Sequence, residues 1–338
     1  MNFDSRRRYF KNFPKLTGAD REDALLIFDA KLARSASPLI RQFRRRIAVR
    51  AGEGLKSFAQ AEKVLGQMLK KTADARRSRL RIFVLGGGSV GDFGGFCASV
   101  LRRGTPVVQI PSTWLAAVDS AHGGKTALNL AGAKNQVGTY WPAEEVWLIE
   151  KLLRAQPAAL ALDARGEVYK SALIAGGALF KMVGRATTPW PVLKPIIDTK
   201  MKVVRADPRE QKGLRHTLNL GHTVGHVLES ARGLSHGRAV LYGLAFAVEW
   251  RRHEMLMAGH FRLPRWLDEV RDWPGWPTAE ELRRELRGVR DWTKRLDTDK
   301  KSLGGGRLRF IFPLEPGRID VQTRRLADLV AEIERQAE

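Results

Sequence analysis

Three of the seven histidines fall within the fifteen residues from His222 to His236. His222 and His226 are four apart, so on a helix they share one face. His236 follows a glycine-bearing turn, Arg232-Gly233-Leu234-Ser235. Imidazoles delivered from rigid elements at this spacing suit a divalent cation. Surface or capping histidines are the plainer account of a lone residue, but Arg215 and Asn219 stand just ahead of this cluster and favour an active or metal site. Glu167 and Lys170, three apart on a predicted helix, offer a metal carboxylate with a lysine beside it, or else a surface ion pair. Lys200, Glu210 and Arg215 add ionic groups. With Lys125, Lys134 and Lys170 they would line a positive pocket suited to a substrate bearing phosphate and carboxylate.

A second chemical signal is Gly86-Gly87-Gly88-Ser89-Val90-Gly91-Asp92. It follows a predicted strand and opens a predicted helix. Glycines there permit close backbone approach, and a helix N-terminus presents free N–H groups to a phosphate, as in a dinucleotide. The spacing departs from Gly-x-Gly-x-x-Gly, so a tight structural turn is the competing reading. Asp119 to Thr126 is a further polar, glycine-rich segment, with Lys134-Asn135 beyond it. Its Gly-Gly-Lys-Thr end looks like part of a Walker A loop, but Ser120 occupies the place of the earlier glycine, which excludes a P-loop. An active-site loop, with Lys125 on an anion and Asp119 on hydroxyls, is expected instead.

The elements that must carry these groups form two sets. Apolar runs at Ala24 to Phe28, Leu80 to Leu85, Thr105 to Ile110 and Val146 to Ile149 read as strands, with helices at Phe58 to Lys71 and from Ser89 to Arg102. The alternation predicts an α/β, Rossmann-like parallel sheet covered by helices over residues 1–150. Over 151–338 the apolar-periodic stretches Ala158 to Phe180, Val192 to Val204, Thr217 to Glu229 and Ala239 to Met257 predict a mostly α-helical domain. A late strand at Arg307 to Phe312 and a last helix from Arg324 complete it. The cleft between the two domains is the expected site.

Of the 338 residues, 43% are hydrophobic and 28% charged, ordinary for a globular chain. One cysteine, Cys97, excludes an intrachain disulfide and a cysteine-based zinc site. There is no apolar run of signal-peptide or membrane-spanning length, so the cytoplasm is the expected compartment and no membrane partner is expected. The net charge of +23 makes nucleic acid the first partner to consider. The basic runs, such as Arg6 to Arg8 and Arg44 to Arg46, are short and scattered with no aromatic platform, so they read as solvated surface and nucleic acid is not expected. The same charge would steer an anionic small substrate.

These motifs, in order, resemble the 3-dehydroquinate synthase family of sugar-phosphate cyclases in the shikimate pathway. They are Gly52-Glu53-x-x-Lys56, Gly86 to Asp92, Arg103-Gly104, Pro111-Ser112-Thr113, Asp119 to Thr126, Lys134-Asn135, Gly166-Glu167-Val168-x-Lys170, Arg215 to His226, His236-Gly237 and Asp299-Lys300-Lys301. The resemblance implies the dehydroquinate synthase-like fold, recycled NAD⁺, a Zn²⁺ or Co²⁺ ion, and a homodimer. It makes Glu167, His222 and His236 metal ligands and His226 a general acid/base or phosphate-elimination partner. It assigns Asp29, Glu53, Lys56, Gly87, Gly88, Asp92, Ser112, Thr113 and Lys134 to NAD⁺. Arg103, reaching across a dimer interface, Asp119, Lys125, Asn135, Lys170, Lys200, Arg215, Asn219 and one of Lys300 or Lys301 fall to an anionic sugar phosphate, and Glu210 joins them among the catalytic residues. The implied reaction converts 3-deoxy-arabino-heptulosonate 7-phosphate to 3-dehydroquinate and phosphate.

Four departures stand out. Arg238 replaces the glutamate that follows His-Gly in the family, removing a carboxylate from beside the metal ligand. The segment Asp207 to Arg215 is one residue longer than is usual in the family. His122 replaces a small apolar residue, and the segment before Asp20 is short and basic. The rival readings are a sister cyclase making an inosose or valiolone, a metal-dependent glycerol or alcohol dehydrogenase, and an inactive basic binding protein. A neutral alcohol needs no cationic pocket, and Lys200 with Arg215 suit a carboxylate that the sister substrates lack.

Overall fold

The computed structural model describes residues 3–186, 188–297 and 302–338. They form two compact units, Met1–Ala161 and Leu162–Glu338.

In the first unit the strands are β1 (Arg6–Phe10), β2 (Leu25–Asp29), β3 (Arg45–Val49), β4 (Ile82–Gly86), β5 (Val107–Pro111), β6 (Lys125–Leu130), β7 (Ala133–Tyr140) and β8 (Glu145–Ile149). Among the described residues six of them make one parallel sheet in the order β1-β8-β5-β4-β2-β3. β2, β4, β5 and β8 are buried at every position, as near-continuous apolar runs in a covered parallel sheet should be. Helix α1 (Phe58–Lys71) turns Ala61, Val64 and Met68 inward, and Ser57 caps its start by accepting from the Gln60 N–H. Helix α2 (Gly88–Val100) leaves the end of β4 and buries Val90, Phe93 and Cys97. Burial pushes the Cys97 thiol up to about 12, so it stays an unreactive thiol. An aromatic chain, Phe43 on Phe83 and Phe83 on Trp147, fixes one face at centroid spacings of 5.0 and 5.2 Å.

From β2 the chain moves outward to β3, and from β4 it moves the other way to β5. The order therefore reverses between β2 and β4, whose carboxyl ends carry Asp29 and the Gly86–Gly88 turn. That crevice is where an open parallel sheet binds its ligand.

β1, β3 and the β6–β7 hairpin were not expected. Arginine-rich strands hid the first two. Arg45 in β3 is buried, contrary to the solvated reading of its run, and donates to Asp74 at 2.8 Å. Arg8 in β1 lies 5.3 Å from the Trp147 ring and 3.5 Å from Glu145. Lys125 and Thr126 open β6 rather than a free loop, and Thr126 Oγ1 meets Thr139 Oγ1 at 2.9 Å across the hairpin.

The second unit is mostly helical: α3 (Arg165–Ala175), α4 (Leu193–Ala206), α5 (His222–Arg232), α6 (His236–Met257) and the last helix α7 (Leu326–Ala337) concern the site or its support. The stretch expected as one helix over Ala158 to Phe180 is broken, because Gly176 takes φ +64°. The expected late strand is β10 (Arg307–Glu315), flanked by β9 (Ser302–Gly304) and by β11 (Arg318–Arg325), which was not foreseen. α6 packs on both α3 and α5. Two glycine contacts let it come close: a Cβ on Gly166 of α3 would overlap the Gly237 carbonyl oxygen, and one on Gly243 would overlap that of Gly221, the residue before α5. Any other residue there would push apart the helices that carry Glu167, His222 and His236. No helix among the described residues is long and apolar enough to cross a membrane.

Candidate active site

Glu167 lies in the first turn of α3, His222 opens α5 and His236 opens α6. Their ligand atoms all fall within 4.8 Å of one another. Glu167 Oε1 is 3.4 Å from His222 Nε2 and 3.6 Å from His236 Nε2. Donors about 2.0–2.2 Å from one tetrahedral cation would sit roughly 3.3–3.6 Å apart. The outer ring nitrogens are both anchored. His222 Nδ1 lies 3.1 Å from the Leu220 carbonyl, and His236 Nδ1 lies 3.0 Å from Glu229 Oε2. A carbonyl only accepts, so Nδ1 of His222 is the donor to Leu220 and Nε2 is the ring nitrogen that faces Glu167.

The two oxygens of Glu167 are in different situations. Oε2 is paired with the buried Lys170 ammonium. Oε1 is buried and has no hydrogen-bond partner, although it faces two imidazoles. A buried carboxylate oxygen left without a hydrogen bond is costly unless a cation completes it. Burial would raise the Glu167 carboxyl, but Lys170 and then His236 outweigh it and hold the group down at about 2. Burial would lower the His236 imidazole, but the Glu167 and Glu229 carboxylates raise it to about 10. The chain thus offers one carboxylate and two imidazoles, the donor set of a hydrolytic or polarising zinc site with a position left open.

A proton on His236 must leave before its Nε2 can bind a metal. Zn²⁺ uptake at neutral pH should therefore release about one proton and tighten as pH rises from 6 to 8, because the imidazole value lies above this window. Calorimetry in buffers of differing ionisation enthalpy measures that proton, and pH-independent uptake would contradict the pairing. In the metal-free protein the sign is the usual one for a raised histidine: the pairing stabilises fully below the unfolded value of 6.5 and is lost as pH rises through about 10.

In the first unit, the expected dinucleotide residues cluster at the crevice. Asp29 ends β2 and accepts from the Lys31 N–H. Gly87 caps α2 and Gly88 begins it, while Ser89 Oγ accepts from the Gly52 N–H at 3.1 Å. The buried Lys56 ammonium is 2.7 Å from Asp92 and also meets Asn135. Burial raises the Asp92 carboxyl against the pull of Lys56. Ser112 and Thr113 follow β5, where the Thr113 hydroxyl accepts from the Ala116 N–H. Lys134 is exposed beside the β6–β7 turn.

Comparison with known proteins identifies the family. Residues 46–162 match the family model "3-dehydroquinate synthase N-terminal", and residues 164–301 match "3-dehydroquinate synthase C-terminal". The chain belongs to the 3-dehydroquinate synthase family. Among curated relatives, the 3-dehydroquinate synthase of Symbiobacterium thermophilum is 34% identical over 88% of this chain and 86% of its own. That of Cereibacter sphaeroides is 34% identical over 86% and 80%, and that of Methylacidiphilum infernorum is 35% identical over 65% and 63%. Among solved structures, 2-epi-5-epi-valiolone synthase from Streptomyces hygroscopicus subsp. jinggangensis, with NAD⁺ and Zn²⁺ bound, superimposes with a TM-score of 0.75 at 22% identity over 100% of this chain and 97% of that one. A 2-deoxy-scyllo-inosose synthase complexed with carbaglucose-6-phosphate, NAD⁺ and Co²⁺ gives 0.72 at 21% over 97% and 96%. At these identities the solved structures show the fold.

The remaining residues expected from the 3-dehydroquinate synthase resemblance are distributed as follows. Lys200 on α4 and Arg215 are buried in the same unit as Glu167, on elements that pack against α3 or next to it. Asn219 is half-buried one turn beyond Arg215. His226 is exposed on α5, its ring centroid 5.4 Å from that of His222, outside the three-residue ligand set. Glu210 sits at φ +59° in the lengthened segment. Asp119 lies in a single π-helical turn, Ala116–Ser120, and Lys125 begins β6. Arg103, at φ +64°, lies in the turn into β5, at the amino ends of the strands, whereas Gly87 follows the carboxyl end of β4. Lys300 and Lys301 lie outside the described residues. His122 is buried, with Nε2 3.0 Å from the Ala117 carbonyl, so a polar ring fills the place of an apolar one.

Three supporting residues were missed. Buried Asp207 accepts from the backbone N–H groups of Gln211 at 2.8 Å, Lys212 at 3.1 Å and Arg215 at 3.4 Å, tying down the lengthened segment. Burial acts to raise its carboxyl, but these amides hold it below the usual range. Asn129 in β6 donates to Glu53 at 2.8 Å and accepts from the Asn135 N–H at 3.0 Å, locking the hairpin to the Glu53–Lys56 turn. Glu229 is the third. Its place three residues after His226, on the histidine-bearing helix, was the available signal.

Proposed function

We propose that the chain is a 3-dehydroquinate synthase, converting 3-deoxy-arabino-heptulosonate 7-phosphate to 3-dehydroquinate and inorganic phosphate. The observation that carries the reading is Glu167 Oε1, buried and without a hydrogen bond between two inward-facing imidazoles, in a chain of this family. In this proposal Glu167, His222 and His236 hold a Zn²⁺ or Co²⁺ ion, and Asp29, Glu53, Lys56, Gly87, Gly88, Asp92, Ser112, Thr113 and Lys134 hold NAD⁺. When bound, the metal polarises vicinal ring oxygens and NAD⁺ takes up and returns a hydride.

The chain's own part is charge and orientation. The free N–H groups at the start of α2, beside glycines that admit close approach, suit the pyrophosphate. Lys170 neutralises Glu167 Oε2 and so leaves Oε1 as a single, directed donor. His226, exposed beside the ligand set, would move a proton to or from the bound substrate. Buried Lys200 and Arg215, with Asn219, Glu210, Asp119, Lys125 and Asn135, supply fixed dipoles and charges for the anionic substrate, which costs no reorganisation during reaction. A homodimer belongs to the proposal: Arg103 lies at the amino ends of the strands, away from its own glycine turn at their carboxyl ends, which supports action on a second copy's site.

The test is phosphate release from the heptulosonate phosphate with NAD⁺ and Zn²⁺. Release is expected, abolished by a chelator and restored by added metal. Absence of release, or release indifferent to chelator, would overturn the reading. A hexose 6-phosphate, which has no carboxylate to engage Arg215 and Lys200, should give none; release from it instead would favour a sister cyclase.

A further inference from the structure

The proposed metal set leaves one contact without a purpose. Glu229 stands on α5, seven residues before His236, and its carboxylate receives the His236 Nδ1–H at 3.0 Å. His236 is the least enclosed of the three donors, its side chain 36% exposed against 10% for His222 and 2% for Glu167. Packing alone therefore orients it least. It also sits on the first residue of α6, where the helix start is fixed by Asp163, which accepts from the Ser235 hydroxyl and from the Arg238 N–H. Asp163 sets where the helix begins but not which way the ring faces. Arg238, one turn ahead of Tyr242, takes no part: its guanidinium donates to the Tyr242 hydroxyl at 3.3 Å and lies 5.7 Å from that ring.

We propose that Glu229 is the positioning residue of the metal site, fixing the proton of His236 on Nδ1 so that Nε2 faces Glu167 Oε1 as a donor. The inference rests on the metal reading above. Two imidazoles would then be oriented by unlike partners, His222 by the neutral Leu220 carbonyl and His236 by a carboxylate. Outer partners of this kind are worth about 10–100-fold in metal affinity. The contact depends on reach: the carboxylate spans from one helix to the next, so shortening it by a methylene breaks the contact while keeping the charge.

The experiment measures Zn²⁺ affinity by competition with a chromophoric chelator, and the visible absorption of the Co²⁺ protein, for four variants of the full chain. Glu229→Ala and Glu229→Asp should each weaken Zn²⁺ binding by about 10–100-fold and alter the Co²⁺ bands. Glu229→Gln, whose amide oxygen still accepts at the same reach, should lose less than about tenfold and keep the parent spectrum. Arg238→Ala should match the parent. If Glu229→Ala does not fold, the Asp and Gln pair decides alone. Parent-like affinity and spectrum in Glu229→Asp would overturn the positioning role, as would a Gln variant no better than Asp. A parent chain that takes up no Zn²⁺ or Co²⁺ would instead overturn the metal reading, and with it this inference.

Discussion

Replacing His222 with Ala should leave a folded chain that holds no stoichiometric metal and releases phosphate at least about 1000-fold more slowly, since a polarising cation supplies several kcal/mol and each 1.36 kcal/mol is tenfold in rate. The expectation follows from the donor count. Only Glu167, His222 and His236 converge among the described residues, so losing one leaves two donors, one of them on the exposed start of α6. The comparison that gives the result meaning is His226→Ala. His226 shares the helix face, but it is exposed and outside the converging set. That variant should keep its metal and still lose about 10²–10⁴-fold in turnover if His226 moves a proton. Metal content by atomic emission and phosphate release by a coupled assay separate the two histidines. Normal metal and activity in His222→Ala would refute the assignment.

The separation of those two histidines shows where sequence reasoning reached and where it stopped. Spacing put His222 and His226 on one helical face, which is correct, but spacing cannot say which imidazole meets a carboxylate from another helix. The family resemblance chose His222 and His236, and the converging donors include both. Apolar runs located β2, β4, β5 and β8 because buried parallel strands tolerate little else. β1 and β3 stayed hidden because their arginines satisfy themselves in the fold, on Trp147 and Glu145 in one case and on Asp74 in the other. The β6–β7 hairpin was read as a loop since its strands carry the polar residues of a cofactor site. Arg238 was taken as a lost carboxylate beside His236; the carboxylate that touches His236 comes from Glu229, on the preceding helix, and its place three residues after His226 does not say which side chain it meets. The contacts missed are tertiary ones between elements whose relative placement the sequence does not state.

Lys170→Met tests the electrostatic half of the site. Lys170 and Glu167 are both buried and paired, and breaking such a pair by removing one member costs about 3–5 kcal/mol, because the remaining charge is stranded. In the parent, Glu167 titrates at about 2, so its pairing stabilises the fold above the ordinary value of 4.5 and is lost only as pH falls through about 2. Without the lysine, burial is left opposed mainly by His236, the carboxyl rises, and that contribution shrinks at neutral pH. The metal-free variant should therefore unfold at a lower urea concentration than the metal-free parent, by about 3–5 kcal/mol. A bound cation takes over the missing charge at the same carboxylate. Saturating Zn²⁺ should recover part of the loss, so the gap between variant and parent is smaller with metal than with chelator. Activity should not return, because a methionine offers no ammonium to the anionic substrate. Equal unfolding midpoints for the two metal-free proteins, or a gap that Zn²⁺ leaves unchanged, would mean that Lys170 does not balance Glu167, and the directed donor at Oε1 would need another cause.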